Sequence, residues 1–221
     1  MPEVGTFLIT SYDVRLGVFI AFALAAAALF LYLFLKGPIR RYRAKRDIAS
    51  AYFPKVYKTV LHGDYYLIND FERGEGASKV HIDHIIGGDK YIYVITDCYF
   101  DGAISGMGED ASWVYYSRKG KKQPIPNPLA ANRHMLNRLS MVSGINSSFM
   151  VGVVLVNDEC FVSRLDASSK SDSHLVGLKD LETLVEDYES RNVTPFVKKE
   201  LWQAIHDLHE LRKASKDERT S

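Results

Sequence analysis

The chain has 221 residues, of which 47% are hydrophobic and 25% charged, with only 15 Gly and 7 Pro, and this excludes disordered and collagen-like classes. Cys98 and Cys160 are the only cysteines, so neither a disulfide-stapled scaffold nor a multi-cysteine zinc or iron–sulfur framework can be assembled. The formal net charge of +1 is unevenly spread: residues 47–221 keep 21 of the 28 Lys and Arg but 25 of the 27 Asp and Glu, a net −4 that offers no general nucleic-acid surface.

Residues 16–35 read LGVFIAFALAAAALFLYLFL, without a charge, and twenty residues rising about 1.5 Å each match a hydrocarbon layer of about 30 Å. The run predicts a transmembrane helix over 14–36 that follows a short extracytoplasmic segment, 1–13. A cleaved signal peptide would have a shorter apolar run and a small-residue cleavage site, whereas here bulky residues lead into a basic cluster. Lys36, Arg40, Arg41, Arg43, Lys45 and Arg46 follow the span, so the amino terminus is expected outside and the rest in the cytoplasm, in a single-pass protein of the cytoplasmic membrane. The six cations are a topological stop and also a lipid-facing cluster suited to anionic headgroups. Gly17, Ala21 and Ala25 form a smooth stripe suited to close helix packing in a membrane.

Residues 37–62 predict a basic juxtamembrane segment and a connecting helix, with Ile48, Tyr52, Val56 and Val60 at four-residue spacing and Pro54 as a kink or restart. His62-Gly63-Asp64 ends that helix. Residues 65–69, 80–86 and 91–96 are rich in β-branched and aromatic residues and predict three strands, the last two a hairpin turning at Gly87-Gly88-Asp89-Lys90. Ile104 opens another strand and Trp113 one more, before a turn-rich SRKGKKQPIPNP. Residues 129–142 predict an amphipathic helix, with Asn127 as cap and Pro128 at its first position. Residues 149–156 predict a strand buried on both faces. After Asp166 the segment ASSKSDSH reads as a polar linker. Leu178, Leu181, Leu184, Val185 and Tyr188 and then Val197, Leu201, Ile205 and Leu208 predict a helical hairpin over 177–213, followed by a charged tail over 214–221.

In order, DYYLINDF, HIDHIIGGDKYIYVI, DGAISG, SWVYY and NPLAANRHMLNRL resemble the NERD (nuclease-related) domain of the PD-(D/E)xK restriction-endonuclease-like group, from about residue 48 to 156. The resemblance implies an α/β fold, a mixed sheet flanked by helices over 63–166, preceded by the transmembrane helix and followed by the helical hairpin. It also implies a site in which an acid on one strand and a Glu-x-Lys on the next gather Mg²⁺. Asp83 occupies the acid's place. Thr96 stands in the glutamate's place, Cys98 in the lysine's, and Ala131 where the family carries a Gln; no carboxylate occurs at Ala49-Ser50-Ala51.

Asp97 is one residue away from the glutamate's place and points to the opposite face of a regular strand, so it replaces the glutamate only through a bulge. Glu72 and Glu75, with Lys79 or Lys90 as cation, are the alternative set for a relocated site. Asp83 between His81 and His84 is either a structural hydrogen-bonding group or part of a transition-metal site with no third ligand identifiable in the sequence. His206 and His209 read as solvated or capping groups, Cys98 as a buried thiol. Arg118, Lys119, Lys121 and Lys122 read as a solvated turn or as a contact for phosphate or an acidic partner. The expectation is therefore a membrane-anchored, nuclease-like domain that has lost catalysis and acts as an interaction subunit of a membrane complex. Its partners are then the membrane and other protein subunits, with nucleic acid not favoured. It needs no cofactor, with Mg²⁺ entering only at a rebuilt site. The alternatives are an active nuclease with relocated ligands and a non-hydrolytic nucleic-acid-binding module of a transfer or secretion machine.

Overall fold

The computed structural model describes residues 11–75, 79–163 and 173–220. It divides into two units, residues 1–46 and 47–221. The first is one helix, α1 (Ser11–Arg46), which keeps Pro38 inside it. Residues 16–46 of this helix contain an apolar window of mean hydropathy 2.7, none of it buried, long enough to cross a membrane.

The second unit starts at Asp47, and here the structure differs from the sequence reading. The helix restarts at Asp47 and not at Pro54. Asp47 leaves helical geometry at φ −144° and its Oδ1 accepts the Ser50 N–H at 3.0 Å, so it caps α2 (Ile48–Gly63). Pro54 lies within α2, and Asp64 at φ 54° closes the helix where His62-Gly63-Asp64 predicted an end.

Among the described residues nine strands follow: β1 (Tyr66–Arg73), β2 (Val80–Gly87), β3 (Ile92–Cys98), β4 (Gly102–Ser105), β5 (Ser112–Ser117), β6 (Lys122–Pro126), β7 (Met150–Val156), β8 (Phe161–Ser163) and β9 (Ser173–Gly177). Among the described residues they form two mixed sheets, ordered β1-β2-β3-β7-β9 and β6-β5-β4-β8. In the first, β1, β2 and β3 are antiparallel and β3, β7 and β9 parallel. The second sheet was not foreseen as a separate layer. Its β6 lies in the segment read as turns: Pro124, paired opposite Val114, is tolerated because β6 is an edge strand. Gly102 is needed where β4 meets β5, since a Cβ there would stand 2.1 Å from the Tyr116 carbonyl oxygen.

Helix α3 (Pro128–Ser143) begins as predicted, with Asn127 Oδ1 accepting the N–H groups of Leu129 and Ala130. Every residue of β7 is buried, as its unbroken apolar run implies for a strand covered on both faces. One core packs Tyr52, Val56 and Val60 of α2 against Ile86, Tyr93, Ile95, Val153 and Leu155. The other packs Leu136 and Leu139 of α3 against Ile82, Ile85, Ile92 and Val94. A third cluster joins Trp113 and Ile104 of the second sheet to Leu129, Val154 and Val156. Each fully buried side chain of this kind contributes about 1.5–3 kcal/mol relative to exposure, so the two faces of the sheet carry the fold.

The two C-terminal helices are present as α4 (Leu181–Ser190) and α5 (Lys198–Thr220), but the five-stranded sheet separates them. Leu181, Val185 and Tyr188 join the core beneath α2, whereas Leu201, Ile205 and Leu208 join the core beneath α3. The chain between them passes the β2–β3 turn, where Phe196 N–H donates to Asp89 O at 2.7 Å and Lys90 Nζ to Arg191 O at 2.7 Å. Each helix has a single apolar stripe, and each stripe covers a different sheet face. The polar segment read as a linker ends in Ser173 and His174, which open β9; residues 164–172 lie outside the described residues.

Candidate functional site

The site is set by a break in the β1–β2 ladder. Val80 and Ile82 face the α3 core, and so does Ile85, while Ile86 faces the α2 core; strict alternation would not put Ile82 and Ile85 on one side. In β1 the same slip places both Ile68 and Phe71 in the α3 core. Between the pairs Asn69↔His84 and Phe71↔Ile82 lie Asp70 and Asp83, with Asp70 at φ 51°. The slip turns the side chains of Asp83 and His84 to the α2 side.

There they line a cleft of about 460 Å³ with Ala49, Ser50 and Phe53 of α2, Asn69 and Asp70 of β1, and His81 of β2. Tyr52 holds α2 over the strands by donating its hydroxyl to the Cys98 carbonyl at 2.9 Å. Asp83 Oδ2 accepts the backbone N–H of Asp97 at 2.8 Å, and Asp83 Oδ1 lies 3.5 Å from His81 Nε2. Burial opposes the charge on Asp83, but His81 and the Asp97 N–H together hold its carboxyl below the usual range. The bond to Asp83 in turn raises the pKa of His81.

Beside this pair lies a second one, almost wholly buried. His84 Nε2 lies 3.1 Å from Asp97 Oδ2, and His84 Nδ1 lies 2.6 Å from Asn69 Oδ1. The side chains of His84 and Asp97 are only 3% and 2% exposed, and Asp97 Oδ1 is buried without a hydrogen-bond partner. Burial raises the pKa of Asp97, against the lowering effect of His84.

The other residues singled out in the sequence are dispersed. Thr96 faces α3, where its Oγ1 accepts from Asn132 Nδ2 at 3.0 Å. Asn132 also donates to Val94 O at 3.1 Å and Val153 O at 3.3 Å, and its Oδ1 accepts from Ser173 Oγ at 3.1 Å. This approach needs Gly152: a Cβ there would stand 2.3 Å from both Asn132 Oδ1 and Ser173 Oγ. Cys98 packs against the third cluster, and burial, with Asp83 and Asp97 nearby, pushes its thiol up to about 12. It is a neutral group and does not supply a lysine's charge. Ala131 is in the first turn of α3, and its neighbour Asn132 is the residue that reaches the strands.

Asp97 does face away from Thr96, as expected, but the break at Asp70 and Asp83 turns Asp83 to the Asp97 side as well. Glu72 meets Lys79 at 2.5 Å, Glu75 is exposed, and Lys90 is engaged at the end of α4. Arg118 pairs with Asp101 at 3.1 Å and Lys122 lies over the Tyr116 ring, with Lys119 and Lys121 exposed at the β5–β6 turn of the second sheet. His206 stacks on Trp202 on the exposed side of α5, and His209 lies near Glu210. Gly17, Ala21 and Ala25 are exposed on α1. The sequence reading missed Asn69, His84 as the partner of Asp97, and Asn132. Asn132 had one signal, an amide on the otherwise apolar face of an amphipathic helix.

Asp83, Thr96 and Cys98 do not together form a Mg²⁺ site. One Asp83 oxygen is taken by a backbone N–H, the other faces an imidazole, Thr96 points away, and Cys98 is a protonated thiol. Magnesium requires near-octahedral oxygen ligation, which this arrangement does not supply.

A solved structure of a protein of unknown function resembles the chain at 11% identity and a TM-score of 0.35, covering 75% of this chain and 92% of that one. No curated protein sequence matches. The model of the nuclease-related domain, NERD, matches residues 43–157, which is more than half of the chain and includes α2, the cleft strands, α3 and β7. The chain therefore belongs to the NERD family.

Proposed function

We propose that this protein is a membrane-anchored NERD domain that no longer hydrolyses phosphodiesters and serves as an interaction subunit at the cytoplasmic face of the membrane. The observation that carries the reading is the separation of Asp83 from Thr96: the carboxylate turns under α2, while the residue in the glutamate's place is bound to Asn132 under α3. Asp83, with one oxygen on the Asp97 N–H, the other facing His81, and Cys98 in the lysine's place, is not set to hold Mg²⁺ or to activate water. The apolar run of α1, followed by the cations in the last turns of the same helix, supports anchoring with the second unit inside the cell, and the cations suit anionic lipid headgroups.

The test uses the full chain in lipid nanodiscs with Mg²⁺ or Mn²⁺ and single- and double-stranded DNA and RNA. Its cleavage should not exceed that of Asp83→Ala. Turnover that disappears in Asp83→Ala overturns the reading. Reporter fusions at each terminus check the orientation, and crosslinking of the intact membrane protein identifies the partner.

A further inference from the structure

A second donor set borders the cleft. Glu72 of β1 pairs directly opposite His81 of β2, and Asp70 precedes Glu72 by two residues. Ligand atoms of Asp70, Glu72 and His81 all lie within 4.8 Å of one another. We propose that these three residues bind a borderline divalent cation of the zinc class, through His81 Nδ1 and one oxygen from each carboxylate.

A separate feature points the same way. Imidazoles that ligate metals usually give their other N–H to a carboxylate, which fixes the tautomer and the ring. His81 Nδ1 faces Asp70 at 3.9 Å, and its Nε2 faces Asp83 at 3.5 Å. Asp83, 21% exposed, is itself anchored by the Asp97 N–H. Asp83 is thus a positioning residue behind the imidazole and not a ligand. One nitrogen with two carboxylate oxygens suits zinc better than the all-oxygen preference of magnesium or calcium. Three protein ligands leave a coordination position open beside the cleft, as in zinc sites that accept an exogenous oxygen ligand. Lys79, the partner of Glu72, is 51% exposed and can release it to the metal.

The chain contains its own control. His62, Glu182 and Glu186 form a similar group, but both ring nitrogens of His62 face the carboxylates of that group. No further carboxylate is seen behind that imidazole among the described residues.

The experiment titrates the chelator-stripped full chain in nanodiscs with Zn²⁺ by calorimetry and with Co²⁺ by visible absorption. One equivalent should bind and give cobalt ligand-field bands. His81→Ala should abolish both signals with unchanged circular dichroism, and Asp83→Asn should weaken binding about 10–100-fold. His62→Ala should leave both unchanged. The proposal is overturned by failure to bind either ion, by binding that survives His81→Ala, or by binding lost in His62→Ala. Full affinity in Asp83→Asn overturns the positioning role. None of these readouts depends on nuclease activity.

Discussion

The two faces of β3 solve the problem of buried polar groups in opposite ways. Under α3, Asn132 joins Val94, Thr96, Val153 and Ser173 in a neutral network with its amide fully engaged. Under α2, His84 and Asp97 form an enclosed pair that leaves one carboxylate oxygen without a partner. A satisfied neutral network rigidifies a core, whereas a pair that leaves a buried acceptor without a partner is sensitive to every change around it. Strength and vulnerability therefore lie one residue apart on the same strand.

The comparison can be broken most sharply at His84. His84→Ala leaves the Asp97 carboxylate buried and unpaired and should cost about 3–5 kcal/mol in denaturant unfolding of the full chain. Asn132→Ala should cost less, about 2–3 kcal/mol, since it strands neutral acceptors rather than a charge. If the two losses are equal, the contrast between the faces fails. Thr96→Val removes a single hydrogen bond and should cost about 1 kcal/mol, read as a shift in denaturation midpoint.

The smallest effect is a pH dependence at the rim of the cleft. His81 has a pKa above its ordinary 6.5, so its pairing with Asp83 is fully present below that value and fades as pH rises through the raised one. Asp83 has a pKa below its ordinary 3.8, so its contribution is present above that value and is lost as pH falls through the lowered one. The melting temperature of the wild type should exceed that of His81→Ala between these limits and converge with it at alkaline pH. A constant difference across the range would detach His81 from Asp83.

Much of this architecture is legible from residue patterns. The β-branched runs locate β2, β3 and β7, and Asn127-Pro128 locates the start of α3 to the residue. β6 was hidden by Pro124 and Pro126, which only an edge position permits, and β9 by the polar residues before it. The separation of α4 from α5 was not legible, because an apolar stripe states that a helix is covered but not by which face of a sheet. In the site, the residue types at 83, 96 and 98 could be read directly. The grouping of Asp83 with His84 and Asp97 could not, because it depends on a left-handed residue at Asp70. An Asn-Asp pair tolerates that conformation without announcing it.

The passage of the chain from α4 around the β2–β3 turn to α5 has a practical consequence. The family match ends at residue 157, but Val176, Leu181 and Val185 finish one core, and Leu201, Ile205 and Leu208 finish the other. A truncation trimmed to the family boundary would lay bare oily surface on both sides of its sheet and expose β7 as an open edge. It should aggregate when expressed, so the smallest piece worth purifying extends past Leu208.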